Sequence, residues 1–270
     1  MEIPWRNLDL GSLRAPNAAR TVVTAVDFII FVVAGLAAGI ASAMVGGASL
    51  VSFPVLLGAG LPPLVANVSN TCGLVPTAIG AALASKPELK GQKSQVAFLV
   101  VPALLGSLTG VALLLSFPPS TFEALVPYLI GASSLLVGAQ PFLVSKVRGR
   151  LGGRNRVGLW FSAYLACTYG GYFGAAAAVL FLGTAGLFSD SSLHQLNALK
   201  NILMGIANAV AMVAFALLTH VEWGVSAGLA IGSLVGGAVG MRLVRFVPAP
   251  VLRAVVLVLG LAVAVWIGVS

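Results

Sequence analysis

Lys200 is the residue of this sequence best suited to chemistry inside an apolar segment. It lies ten residues after Asp190, about 15 Å along a helix, which is near the middle of a bilayer. No Asp or Glu lies within two helical turns of it. A cation at that depth costs about 2.5–3.5 kcal/mol and usually faces a cavity. We therefore predict that Lys200 binds an anion; a lysine that extends its ammonium to the membrane interface is the alternative.

Polar residues accompany Lys200 and recur in the first half of the chain. Asn197 and Asn201 share its helix face, because residues three and four apart lie one turn apart. His194 precedes it by about one and a half turns and could hold a proton or simply hydrogen-bond a neighbour. We predict that the two polar faces form one substrate site, whereas polar packing between helices is the alternative. The matching residues of the first half are Asn67, Asn70 and Thr71.

Two apolar segments, residues 28–60 and 157–188, have glycines near the middle. Each is too long for one crossing and too short for two. We predict a re-entrant pair of half-helices, or a sharply broken helix, in each. The N-terminus of the second half-helix would attract an anion through free N–H groups; close packing of small residues is the alternative. The candidate residues are Gly46, Gly47, Ser49, Gly171, Tyr172 and Gly174.

The composition predicts an all-α integral membrane protein. Residues 28–85 contain no Asp, Glu, Lys, Arg or His, although about 20 apolar residues suffice to cross a bilayer. The chain is 59% hydrophobic and 8% charged, with a mean hydropathy of +1.05. Its net charge of +8 comes from short basic clusters between apolar runs, which is typical of membrane topology rather than of nucleic-acid binding.

Catalytic and metal-binding patterns are missing from the sequence. Cys72 and Cys167 lie in separate apolar runs and form no metal or disulfide pattern. There is no nucleophile with a paired base, no metalloprotease motif and no pair of carboxylates one helical turn apart. We therefore predict no enzymatic activity, no cofactor and no metal.

The chain contains a weak internal repeat. The motif at residues 106–110 (GSLTG) recurs at residues 232–236 (GSLVG). The apolar segments that the repeat relates are residues 28–60, 61–85, 94–117, 121–144, 157–188, 191–218, 223–241 and 248–269. Matches at a spacing of 130 are Asn67 with Asn197, Pro118 with Pro248, and residues 44–48 with residues 174–178.

Charge in the loops predicts that the repeats are inverted. Basic clusters at residues 86–93 and 146–156 are two spans apart and so lie together in the cytoplasm, while the loop 117–121 has no Lys or Arg. In the second half, the loop 219–222 is without positive charge and residues 242–253 carry three arginines. Corresponding loops thus carry positive charge on opposite sides, as in inverted-topology transporters. Eight full crossings are the alternative.

These patterns predict four regions. Residues 1–27 form an N-terminal surface segment and residues 28–144 a first membrane repeat. Residues 145–156 form a basic cytoplasmic linker and residues 157–270 a second membrane repeat. Each repeat consists of a broken or re-entrant helix hairpin and three transmembrane helices.

The glycine-rich stretches resemble those of a known family. Residues 35–39 (GLAAG) and 45–49 (VGGAS), followed by Pro54, resemble the first signature of the TauE/SafE sulfite exporter family. Residues 196–201 (LNALKN) resemble the start of a helix in its second repeat. The chain departs from the family pattern at Ala48, where a third glycine is usual, and at residues 174–177 (GAAA).

The resemblance implies export or import of a small sulfur-containing anion such as sulfite or an organosulfonate. We expect an exporter in the bacterial inner membrane that binds its substrate near the midplane between the two repeats. The alternatives are a proton-coupled anion importer and a membrane-embedded sulfur-relay enzyme or partner. The partners expected are the anion and the lipid bilayer, without nucleic acid, and the sequence leaves the oligomeric state open, including a dimer.

Overall fold

The computed structural model describes residues 24–84, 89–147, 155–243, 246 and 249–269. This part of the chain contains ten helices and no strands, which confirms the all-α prediction. The first five helices are α1 (Ala25–Val45), α2 (Ala48–Gly58), α3 (Pro63–Ala84), α4 (Lys93–Leu115) and α5 (Pro119–Val147). The second five are α6 (Arg156–Tyr172), α7 (Ala177–Ala185), α8 (Leu193–Leu218), α9 (Trp223–Leu243) and α10 (Ala249–Val269).

Six of these helices are long and apolar enough to cross a membrane, namely α1, α4, α5, α8, α9 and α10. Helix α3 has a similar length, 22 residues, but buried polar side chains occupy much of its first half. Large apolar side chains such as Leu105, Leu217 and Val258 are exposed on the outside of the bundle. An apolar exterior around a helical interior suits lipid as the solvent. The chain is therefore an integral membrane protein.

Each of the two glycine-containing segments is broken into one longer and one shorter helix. Helix α1 has 21 residues and ends at Val45; the next residue, Gly46, has a φ of 81°, and its N–H donates to the carbonyls of Ala41 and Ser42. Helix α2 then has only 11 residues. The second break separates 17 residues of α6 from nine of α7. Helix α1 alone covers about 31 Å, from its 21 residues.

The first helix of the first half packs in parallel against the fourth helix of the second half. Gly35 of α1 lies on the backbone of Leu229 in α9, and Gly39 lies four residues further along on Ser233. A Cβ at either glycine would meet a backbone carbonyl oxygen. Small residues are therefore required for this close approach of two helices, as is common in membranes.

The same packing occurs with the halves exchanged. Gly106 of α4 lies on the backbone of Tyr164 in α6, and Gly110 lies on Thr168. The repeated GSLxG motif thus has a structural role in both halves. Its serine adds a hydrogen bond to the third helix of the other half: Ser107 donates to the Ala207 carbonyl at 2.7 Å, and Ser233 to the Gly73 carbonyl at 2.9 Å. This packing brings α3 and α8 together in the interior.

Several sequence predictions fall outside the described residues. They concern residues 1–23 of the N-terminal segment, most of the basic linker, and the basic residues Lys86, Arg148, Arg150, Arg154 and Arg245. Helix α1 begins at Ala25, three residues before the predicted first segment. Its start is fixed by a capping box in which Thr24 and Asp27 bond each other's backbone N–H groups.

Candidate functional site

Lys200 is completely buried, with 0% of its surface exposed. Its ammonium donates to the carbonyl oxygen of Ser42 at 2.9 Å. Among the described residues no carboxylate forms an ion pair with it. Lys200 therefore does not extend its side chain to the surface, and the hydrogen-bond partner of its buried amine is neutral.

The partner of Lys200 is the C-terminal end of a helix. Ser42 lies in the last turn of α1, where the helix dipole is negative, and its carbonyl also accepts from the N–H of Gly46. A cation at this position is favourable. Helix α8 begins at Leu193, so that Lys200 is its eighth residue and lies about 10 Å from the helix start. The sequence had predicted about 15 Å, because it counted from Asp190.

The two asparagines beside Lys200 contact different helices. Asn197 donates to the carbonyl of Ala43 at 3.4 Å. Asn201 is buried, and its amide approaches the sulfur of Met241 in α9 at 3.4 Å. A thioether is a weak acceptor, so Asn201 keeps hydrogen-bonding capacity. Helix α8 therefore bonds the last turn of α1 through Lys200 and Asn197, while Asn201 faces α9.

Helix α3 makes the corresponding contact with the second break. Asn67 donates to the carbonyl of Tyr172 at 3.0 Å, in the last turn of α6. Tyr172 and Ser42 are 130 residues apart, which is the spacing of the repeat. In both halves, therefore, the third helix donates to the last turn of the other half's first helix. Lys200 supplies a charge at one of these places and Asn67 a neutral amide at the other.

Asn70 and Thr71 are used within the protein. Asn70 donates to the hydroxyl of Ser49 at 3.0 Å and accepts from Ser52, which ties α2 to α3. Thr71 donates to the carbonyl of Asn67 in its own helix at 2.9 Å. These bonds fit polar helix packing, the alternative considered from the sequence.

The two helix breaks lie against each other. A Cβ on Gly46 would come within 2.7 Å of the Ala178 side chain, and one on Gly174 within 3.6 Å of the Ser49 hydroxyl. The N-cap residues of α2 and α7 are Gly47 and Ala176, and neither has a side chain that caps its helix. Their first N–H groups therefore offer positive potential at the centre of the molecule.

Gly171 and His194 lie outside this arrangement. Gly171 packs on the backbone of Ser107 in α4, a contact between helices. His194 is exposed in the first turn of α8, about 9 Å along the helix from Lys200.

A small cavity lies between α3 and α8, beside the first break. Its volume is about 30 Å³, which is room for about two water molecules. No Asp or Glu lines it, while Ser42 connects it to the ammonium of Lys200. We call it the central cavity. It is lined by Ser42, Ala48, Leu74, Thr77, Ala78, Asn201, Met204, Gly205 and Asn208.

A larger cavity of about 650 Å³ opens where α4, α6 and α8 begin. Arg156, Asp190 and Gln95 are among its lining residues, and the Arg156 guanidinium lies 4.5 Å over the ring of Phe98. Gln195, which also lines it, is five residues before Lys200 on α8. Its polar lining suits an aqueous entrance, whereas the first helix break and the carbonyl that binds Lys200 lie at the smaller cavity. The candidate site is therefore the central cavity.

Sequence reasoning missed Thr77 and Asn208. Each is seven residues after a polar residue that was selected: Thr77 follows Asn70, and Asn208 follows Asn201. A spacing of seven returns to the same helix face. Extending the polar faces by two turns would have found both residues.

The family comparison covers nearly the whole chain. The family described as "Sulfite exporter TauE/SafE" matches residues 31–267. A "Probable membrane transporter protein" of Haemophilus influenzae is 25% identical over 225 residues, which are 83% of this chain and 88% of that protein. The "Probable membrane transporter protein YfcA" of Escherichia coli K12 is 26% identical over 223 residues, 80% of each chain. No solved structure matches.

These descriptions are of transporters, which confirms the prediction that the chain is not an enzyme. They agree with a bundle of apolar helices around a buried cation and two uncapped helix starts. Because the family match spans far more than half of the chain, this membrane transporter belongs to the TauE/SafE sulfite exporter family.

Proposed function

We propose that the protein exports a small sulfur-containing anion, such as sulfite or an organosulfonate, across the bacterial inner membrane. The observation that carries the proposal is the fully buried Lys200, which has no carboxylate partner among the described residues. A buried cation of this kind is favourable for an anion that enters the same region. The family description, which names sulfite export, supports sulfur oxyanions as the class to test first.

The binding site in this proposal lies between two inverted repeats, residues 28–144 and 157–270. Support comes from the order of helix lengths, since each half has a long helix, a short helix and then three long ones. The exchanged packing of α1 on α9 and of α6 on α4 also supports it. A third support is the pair of hydrogen bonds from Lys200 to Ser42 and from Asn67 to Tyr172, whose acceptors are 130 residues apart. In this arrangement the basic linker 145–156 is cytoplasmic.

Export of an anion needs no coupling ion. An inside-negative membrane potential favours the exit of each negative charge by about 2.3 kcal/mol per 100 mV. Asp190, Glu123 and Glu222 lie close to the starts or ends of long helices. A relay of carboxylates or histidines would need these groups in the interior. Lys200 is titratable and buried there, but we assign it to the anion, which is why we favour movement driven by the potential.

Flux measurements on the purified protein in liposomes test this proposal. The panel contains sulfite, methanesulfonate, sulfate, acetate and chloride, and a potassium gradient with valinomycin sets the potential. We expect saturable flux of sulfite or the sulfonate that accelerates when the potential drives anions out. Flux that follows a pH gradient and ignores the potential would favour the proton-coupled importer. Flux of chloride or acetate alone would refute a preference for sulfur oxyanions.

A further inference from the structure

The hydroxyl of Thr77 is buried in the wall of the central cavity without a partner. Thr77 is 6% exposed, and its Oγ1 makes no hydrogen bond within the described part of the chain. A buried polar group without a partner is costly and therefore rare in native structures. This residue needs an explanation that the family comparison does not give.

Other threonines of the protein form a hydrogen bond within their helix that Thr77 does not form. In helices a threonine hydroxyl commonly donates to the carbonyl four residues earlier. Thr71, Thr168 and Thr184 do so, at 2.7–2.9 Å. For Thr77 that carbonyl belongs to Gly73, which instead accepts from Ser233 of α9 at 2.9 Å. The packing of α9 on α3 thus leaves the hydroxyl of Thr77 available to whatever occupies the cavity.

Several groups that can donate hydrogen bonds line the same cavity as that hydroxyl. The amides of Asn201 and Asn208 line the cavity, together with Ala48 at the uncapped start of α2. Ser42 also lines the cavity, and its carbonyl oxygen accepts a hydrogen bond from the ammonium of Lys200. Donors, a helix N-terminus and a nearby cation favour an occupant with several acceptor oxygens and negative charge.

We infer that the Thr77 hydroxyl donates a hydrogen bond to the transported anion, and that the central cavity is the closed form of the anion site. This inference rests on the proposed anion transport. A volume of about 30 Å³ is less than an oxyanion of four heavy atoms needs. The walls must therefore move apart when it binds. Met204 is suited to this movement, because its unbranched side chain adapts easily.

Three variants test the inference: Thr77→Val, which keeps the shape and removes the hydroxyl, Thr77→Ser, which keeps the hydroxyl, and Thr168→Val as a control. Within the described residues, the hydroxyl of Thr168 bonds to the Tyr164 carbonyl of its own helix. Initial rates of sulfite flux are measured in liposomes with equal amounts of inserted protein. Loss of one hydrogen bond to a charged group predicts a KM about 10- to 100-fold higher for Thr77→Val. We expect Thr77→Ser to stay within about threefold of the wild type, and Thr168→Val to match it.

Each other outcome contradicts a specific part of the argument. An unchanged KM in Thr77→Val overturns the inference and means that the cavity holds water only. An equal loss in the Val and Ser variants means that Thr77 serves packing, which also overturns it. If the wild type carries a different anion of the panel, the variants are measured with that anion. A wild type that carries none overturns the proposed function, and the inference with it.

Discussion

The substitution Lys200→Met removes the buried charge while keeping the length and flexibility of the side chain. The fold should tolerate it, since the Ser42 carbonyl still accepts from the N–H of Gly46 at 3.1 Å. The change also removes a charge that is completely buried and has no acidic partner among the described residues. Such charges are costly to bury. We therefore expect the variant to insert normally and to melt at the same temperature as the wild type or higher.

Lys200→Met should, in contrast, strongly weaken the affinity for the transported anion. An ammonium about 4 Å from an anion, at an effective dielectric constant near 20, contributes about 4 kcal/mol. A loss of that size corresponds to about a 1,000-fold weaker affinity. Lys200→Arg keeps the charge, but its planar guanidinium is larger and spreads its donors differently. We expect it to be impaired as well, but less than Lys200→Met.

The assay is concentration-dependent sulfite flux in liposomes, paired with thermal melting of the purified protein. Lys93→Met is the matched control, because it removes one positive charge from an exposed position at the start of α4. It should leave the KM unchanged. If Lys200→Met melts like the wild type and carries sulfite with the same KM and rate, then Lys200 only caps α1 and the anion site lies elsewhere.

Two further predictions concern topology and backbone strain. In a background without native cysteines, single cysteines at positions 120 and 220 should both react with an impermeant reagent on whole cells, and one at position 90 should not. Labelling at 120 but not at 220 would contradict inverted repeats. Ala176→Gly should change stability little, because relief of a φ of 63° offsets the loss of one buried methyl, each about 1 kcal/mol. Ala163→Gly, buried in the middle of α6, should cost about 1.5–2 kcal/mol in thermal or denaturant unfolding.

Much of the helical layout could be predicted from local sequence. The absence of charge located the membrane segments, and glycines located both breaks, because these signals depend only on neighbouring residues. The glycine spacing in the GSLxG motif shows that close packing was encoded as well. The local sequence did not reveal which helix would pack on this motif, since Gly106 and Tyr164 are far apart in the chain.

The details of the site depended on contacts between distant segments. Lys200 could be selected from its type and position, but its partner Ser42 is 158 residues away. The open hydroxyl of Thr77 arises only because Ser233 occupies the Gly73 carbonyl, which no local pattern reveals. The left-handed backbone at Ala176 was also hidden, because alanine rarely adopts a positive φ. The repeat did contain a hint, since Ala176 lies 130 residues after Gly46.

The most direct test of anion transport is the electrical current evoked by a sulfite concentration jump. Liposomes containing the protein are adsorbed on a solid-supported membrane, with protein-free liposomes and the Lys200→Met variant alongside. We predict a saturable current with the sign of a moving negative charge for the wild type, and none for the other two samples. If the wild type gives no more current than protein-free liposomes with sulfite or with methanesulfonate, the protein does not carry sulfur-containing anions as charged species, and the account is contradicted.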